Sequence, residues 1–167
     1  DLLEVGEPRA VVRFYYQLAF KATGASRCMY MANSRNELDR HYPWVVPMAR
    51  DLGLEFVPMI CYYPSPRTTD AYYANLTKRL MEYKPDAFWL KDAGGLLTVE
   101  RIKTLLPAIQ KEAKGVPIEL HTHGMSTNQG RVVVEAMQMG VDSVHTCIPP
   151  LASGSSHVSI YNAMHNA

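Results

Sequence analysis

A chain of 167 residues can bury one sizeable core and is too short for two ordinary domains. Its 47% hydrophobic and 20% charged residues fit a globular protein, and a formal net charge of +1 without runs of like charge points away from nucleic acid and anionic membranes. The apolar stretch 54–63 carries Glu55 and two prolines and is far too short to span a membrane, and no secretory leader is recognisable.

The chain opens Asp1-Leu2-Leu3, without an initiator Met, and enters a helical pattern almost at once, so a piece of a longer polypeptide is expected. The first β-like run is 27–31. Ser34 and Glu37 then have the spacing of a capping box and open the second helix. Gly53, placed where a left-handed cap is favoured, precedes the run 55–62. The third run, 87–90, leads into Lys91-Asp92-Ala93-Gly94-Gly95. Leu97, Ile102, Leu105, Leu106 and Ile109 mark the next helix, which ends at Gly115. The fourth run, 117–121, is followed by a helix carrying Val132, Val133, Ala136 and Met137, and by Gly140. A fifth run, 143–148, passes into a loop of small residues and a short last helix.

With Met29, Ile60, Leu90, Leu120 and Thr146 as markers, the strands recur at steps of 31, 30, 30 and 26 residues. Strands alternating with helices at this pitch make a parallel sheet with right-handed crossovers. Five such units suit either an open doubly wound sheet or most of an eight-stranded barrel, and periodicity does not choose between them. Cys28, Cys61 and Cys147 each fall in an apolar run and read as buried free thiols, which favours a reducing, cytoplasmic setting. The helical tyrosines Tyr15, Tyr16, Tyr72 and Tyr73 read as packing or subunit contacts, and a homo-oligomer is expected.

Ligand sites of α/β proteins lie at the carboxyl ends of the strands. The fourth strand ends Leu120-His121-Thr122-His123-Gly124. Histidines two apart on a strand project from the same side of the sheet and together suit a divalent cation. Lys91 follows Ala-Phe-Trp-Leu, where lost hydration favours the neutral amine. A neutral amine can be a Schiff-base nucleophile, or can take up carbon dioxide and become an anionic metal ligand. The plain alternative is a lysine reaching solvent at a strand end. Asp92 reads as an acceptor behind the site or as a helix-start residue. Ser126, Thr127 and Asn128 could contact substrate or cap a helix, and Ser153 and Ser155 lie in a loop suited to an anion or to a simple N-cap.

Leu90-Lys91-Asp92-Ala93-Gly94-Gly95-Leu96-Leu97 resembles the Lys-Asp-Met-Ala-Gly-Leu-Leu signature of the metal-dependent carboxyltransferase domain shared by pyruvate carboxylase, transcarboxylase and oxaloacetate decarboxylase. Leu120-His121-Thr122-His123 matches that family's Leu-His-Thr-His about thirty residues later. The resemblance implies a (β/α)8 TIM barrel of which residues 1–167 supply strands four to eight, the C-terminal part of a single domain. It implies that Lys91 is a carbamylated metal ligand and the catalytic lysine, with His121 and His123 as imidazole ligands of zinc, manganese or cobalt. It also implies carboxyl transfer to, or decarboxylation of, a small 2-oxo acid through an enolate. No Ala-Met-Lys-Met biotin-attachment segment occurs in the sequence, so the biotin carrier is expected on another domain or subunit. Ser126, Asn128, Ser153 and Ser155 are the candidate substrate contacts. Related lyases and condensing enzymes share the His-x-His but usually lack the lysine. A metal-dependent lyase, a class I aldolase using Lys91, and a remnant barrel kept as a scaffold are the alternatives. The sequence departs from the family at Gly124, where an Asp is usual, which leaves the acceptor acid open. The family's first strand, with its Asp ligand, is not in this sequence, so the fourth ligand is unassigned.

Overall fold

The computed structural model describes residues 9–31 and 34–166; the Asp1-Leu2-Leu3 start lies outside them. Helix α1 (Arg9–Thr23) leads into β1 (Arg27–Met31), α2 (Arg35–Asp51), β2 (Glu55–Cys61) and α3 (Asp70–Leu80). A 3-10 turn, Met81–Tyr83, precedes β3 (Phe88–Asp92), α4 (Val99–Ala113), β4 (Ile118–Thr122), α5 (Gln129–Gln138), β5 (Ser143–Val144) and α6 (Ile160–Asn166).

All four strand pairings are parallel, and the strands lie side by side in chain order, β1 to β5. The expected caps form. Ser34 Oγ accepts from the Glu37 amide at 3.3 Å while the Glu37 carboxylate accepts from the Ser34 amide at 3.0 Å. Gly53, Gly115 and Gly140 all have positive φ.

Strand alternation divides the sheet into two chemically different faces. Cys28, Tyr30, Phe56, Ile60, Phe88, Leu90, Ile118 and Leu120 point one way and join Val45, Leu80, Ile102, Leu105, Ile109 and Val132 of the helices in one buried cluster. Burying each such side chain contributes about 1.5–3 kcal/mol, which makes this the cohesive face. Residues of the opposite parity (Arg27, Met29, Glu55, Trp89, Lys91, Glu119 and His121) occupy the other face. Helices packed into one cluster on one face describe a barrel wall, not a doubly wound sheet covered on both sides. An ion pair from Arg27 on β1 to Glu119 on β4 crosses this inner face over the two intervening strands at 2.8 Å, and the same guanidinium binds Glu55 at 2.8 Å.

Four strand ends differ from the sequence reading. β3 ends two residues later and β4 one residue later than expected, so Lys91 joins His121 on the ladder and pairs with it in register. β2 stops at Cys61, although the Tyr62 amide still donates to the Lys91 carbonyl at 2.7 Å. β5 ends at Val144 instead of residue 148, because Cys147 exchanges hydrogen bonds with Val158 and Ile160 of the returning segment. All three cysteines are free; Cys28 is buried, whereas Cys61 and Cys147 are only half-buried.

Candidate metal centre

Alternation along β4 places Glu119, His121 and His123 on the inner face, with Lys91 opposite His121 on β3. His121 is 9% exposed, and its Nε2 stands 3.2 Å from Nε2 of His123. Lys91 is half-buried, with its amine 5.8 Å from the centre of the Trp89 ring.

The close approach of these loops needs two glycines. Gly95 has φ +58°, and a Cβ there would lie 2.5 Å from the His123 carbonyl oxygen, so no larger residue fits against β4. At Gly124 a Cβ would meet the Ser153 backbone at 3.0 Å. The segment after β5 therefore folds directly over the end of β4. Gly124 N–H donates to the Ser156 carbonyl at 2.6 Å, and residues 123 and 157 form an antiparallel bridge.

That fold-back brings in a histidine that strand reasoning missed. Ring nitrogens of His121, His123 and His157 lie within 4.8 Å of one another, close enough for the three rings to turn toward one cation. His157 sits in an aperiodic loop of small residues, so nothing in the spacing marked it. Its ring centre is 4.2 Å from that of His121. A fourth imidazole, His145, completes the cluster from beyond β5, with its Nδ1 3.0 Å from Nδ1 of His121.

Hydrogen-bond partners fix much of the protonation pattern. A carbonyl only accepts, so His123 Nδ1, 2.7 Å from the Ser155 carbonyl, and His157 Nδ1, 3.1 Å from the Thr122 carbonyl, both carry hydrogen. The Trp89 indole only donates, and it reaches His145 Nδ1 at 3.0 Å. His145 Nε2 then donates to Glu119 at 3.2 Å. Burial, reinforced by the other histidines and Lys91, pushes the His121 pKa down to about 3, so this ring is neutral across the physiological range. Burial also lowers the His145 pKa, against the opposing pull of Glu119.

Asp92 points away from this face and is fully buried. Its carboxylate accepts from the amides of Leu96 and Leu97 at 2.8 and 3.0 Å, from the Thr122 hydroxyl at 2.8 Å and from Gln129 at 3.2 Å. It pins the loop after Lys91 to β4 and α5. Ser126 is occupied at the start of α5, where its hydroxyl donates to Gln129 at 2.6 Å and accepts from the Asn128 amide at 3.3 Å. Asn128 is exposed at that helix start and makes no side-chain cap bond. Ser153, exposed with φ +73°, meets Ser126 in a pocket of about 320 Å³ that also includes Gly124 and Asn162. Ser155 is exposed and meets the histidines through its carbonyl.

No family model matches the chain. Curated relatives do. The chain is 32% identical over 117 residues to one of the pyruvate carboxylase subunits of Methanocaldococcus jannaschii, covering 70% of this chain and 20% of that protein. It is 33% identical over 124 residues to the 2-oxoglutarate carboxylase large subunit of Hydrogenobacter thermophilus, covering 71% and 18% respectively. The carboxyl transferase domain of Rhizobium etli pyruvate carboxylase, solved with pyruvate, superposes with a TM-score of 0.85 over 95% of this chain and 27% of that one, at 24% identity. The chain belongs to the pyruvate carboxyltransferase-type barrel family. It spans about a fifth of the length of the curated relatives it matches. The structural likeness shows the fold: the five-stranded sheet is a portion of a TIM barrel. No helix among the described residues is long and apolar enough to cross a membrane.

Proposed function

We propose that residues 1–167 form the C-terminal part, strands four to eight, of a carboxyltransferase domain that adds a carboxyl group to a small 2-oxo acid or removes one from it. The observation that carries this reading is the meeting of His121 and His123, with Lys91 paired to His121 on the adjacent strand, at the carboxyl ends of the inner face. Relatives named as carboxylases of pyruvate and 2-oxoglutarate supply the substrate class. They also favour carboxyl transfer over a lyase or a Schiff-base aldolase.

The residues fit a divalent cation, since Nδ1 of His123 is held as a donor and its free lone pair lies on Nε2, beside Nε2 of His121. Zinc, cobalt or manganese held there would polarise the substrate carbonyl and stabilise an enolate. His121 and His123 hold that ion as neutral rings. Lys91 would contribute as a carbamate: its amine nitrogen adds to the carbon of carbon dioxide and gives up a proton to solvent, and an anionic oxygen of the carbamate would join the imidazoles as a ligand. Trp89 walls the site below Lys91. Ser126, Asn128, Ser153 and Ser155 edge the approach, where their polar groups suit a substrate carboxylate. The carboxyl group would travel on biotin carried by another domain or subunit.

The test uses the complete polypeptide with pyruvate, oxaloacetate and 2-oxoglutarate, measuring carboxyl transfer to and from biotin. Lys91→Arg keeps length and charge but can form neither a carbamate nor an imine, and turnover should fall to background with the fold intact. Near-normal turnover in this variant would remove Lys91 from the reaction. Borohydride trapping of pyruvate on Lys91 would establish the Schiff-base route instead.

A further inference from the structure

We infer that His157 is a third imidazole ligand, so that His121, His123 and His157 form a neutral three-nitrogen site for a borderline divalent cation of the zinc or cobalt kind. The inference rests on the proposal that the inner-face histidines hold a cation, and it extends that proposal to a residue outside the strands.

His123 and His157 each commit Nδ1–H to a backbone carbonyl, of Ser155 and Thr122, so the lone pair of each ring is on Nε2. His145 has Nε2–H directed at Glu119, and its Nδ1 accepts from Trp89. His121 faces that ring through Nδ1 at 3.0 Å and His123 through Nε2 at 3.2 Å, and of its two neutral tautomers the Nδ1–H form bares Nε2 for a cation. With that tautomer each of the three rings has a bare Nε2, and ring nitrogens of the three lie within 4.8 Å of one another. A cation placed between the Nε2 atoms of His121 and His123, 3.2 Å apart, would select that tautomer.

Nitrogens bound tetrahedrally at ~2.0–2.1 Å from zinc are about 3.3 Å apart along each edge. The His121–His123 pair already has that spacing, and all three nitrogens fall within 4.8 Å. The His157 backbone is tied to the site by the bridge to His123 and by the Ser153 amide donating to its carbonyl at 2.7 Å.

Each ring has its other nitrogen held by a different element: His123 by the segment after β5, His157 by the end of β4, and His121 through His145 by Glu119. Rings aimed by such partners bind metal with little reorganisation. All-nitrogen donors favour zinc and cobalt over magnesium or manganese. A site of three neutral ligands also retains its cation when Lys91 is not carbamylated, leaving the remaining coordination for an anion.

The experiment compares the complete polypeptide, stripped by chelation and reloaded with Co²⁺ or Zn²⁺, with three variants. X-ray absorption at the zinc edge of the unaltered protein should count three imidazoles. Two imidazoles would overturn the inference without requiring any variant. Cobalt titration, followed by its visible absorption, should weaken by about 100-fold or more in His157→Ala and in His123→Ala. Lys91→Arg, which removes the anionic ligand proposed above, should weaken it as well. Unchanged cobalt affinity in His157→Ala alongside a loss in His123→Ala would eliminate His157 as a ligand while leaving the function proposed above in place. Absence of cation binding by the unaltered protein would defeat both readings together.

Discussion

The two faces of this sheet are built from alternate residues of the same strands, yet they do opposite jobs. Along β3, Phe88 and Leu90 turn outward into the helices and are completely buried, whereas Trp89 and Lys91 turn inward and are half-buried. Along β4, Ile118 and Leu120 face outward, while Glu119 and His121 face inward. The outer face repeats one solution, apolar side chains packed on amphipathic helices. The inner face carries an ion-pair floor at Arg27, Glu55 and Glu119, with a histidine cluster above it. A one-residue shift of register would exchange the two, so the pairing of Lys91 with His121 is set by packing on the far side.

The largest effects should follow changes to the outer face. Phe88→Ala removes a fully buried ring and is expected to cost about 3–5 kcal/mol in a urea titration, with cation affinity unaltered in whatever fraction remains folded. Asp92→Asn tests the loop that joins the faces. An amide cannot accept from both Gln129 and the two loop amides as the carboxylate does, and a loss of about 1–3 kcal/mol is expected. Inner-face substitutions should reverse the pattern. Trp89→Phe keeps an aromatic ring but deletes the N–H that fixes the His145 tautomer, and cobalt affinity should fall about 10–100-fold with little change in the urea midpoint. If Trp89→Phe destabilised the fold as much as Phe88→Ala, the division of labour between the faces would be wrong.

Much of this was legible in the sequence, for physical reasons. The thirty-residue pitch, the Ser34 capping box and the cap glycines are local signals, and the structure bears them out. Lys91, His121 and His123 stood out because charge and imidazole are conspicuous at the end of an apolar strand. Glu119 could have been added by the same two-residue rule that paired the histidines. His145 lay inside a run read only as strand, and nothing before the fold linked it to Trp89. His157 could not be reached at all. Its position depends on Gly124 admitting the Ser153 backbone and on β5 ending early, and both are tertiary facts. The same early end explains why the fifth strand was read too long.

The smallest expected effect concerns acid, and it separates the faces without altering packing. In the cation-free protein His121 has its pKa lowered from 6.5 to about 3, and that of His145 is lowered too, chiefly by burial. Above pH 6.5 both rings are neutral whether the chain is folded or not, and the shift has no effect on stability. Below that, the unfolded chain binds protons that the folded chain refuses, so stability must decline as pH falls from about 6.5 toward 3. Carboxylates begin to contribute near pH 5, which makes the interval from pH 7 to 5 the informative one. Urea midpoints measured at intervals across it should fall for the unaltered protein, and His121→Asn should flatten the decline. A milder outer-face change such as Ile109→Val, at a fully buried position, should lower every midpoint by a similar amount and leave the slope alone. Parallel curves for the unaltered protein and His121→Asn would show that the inner face does not hold its histidines in the neutral, ligand-ready form.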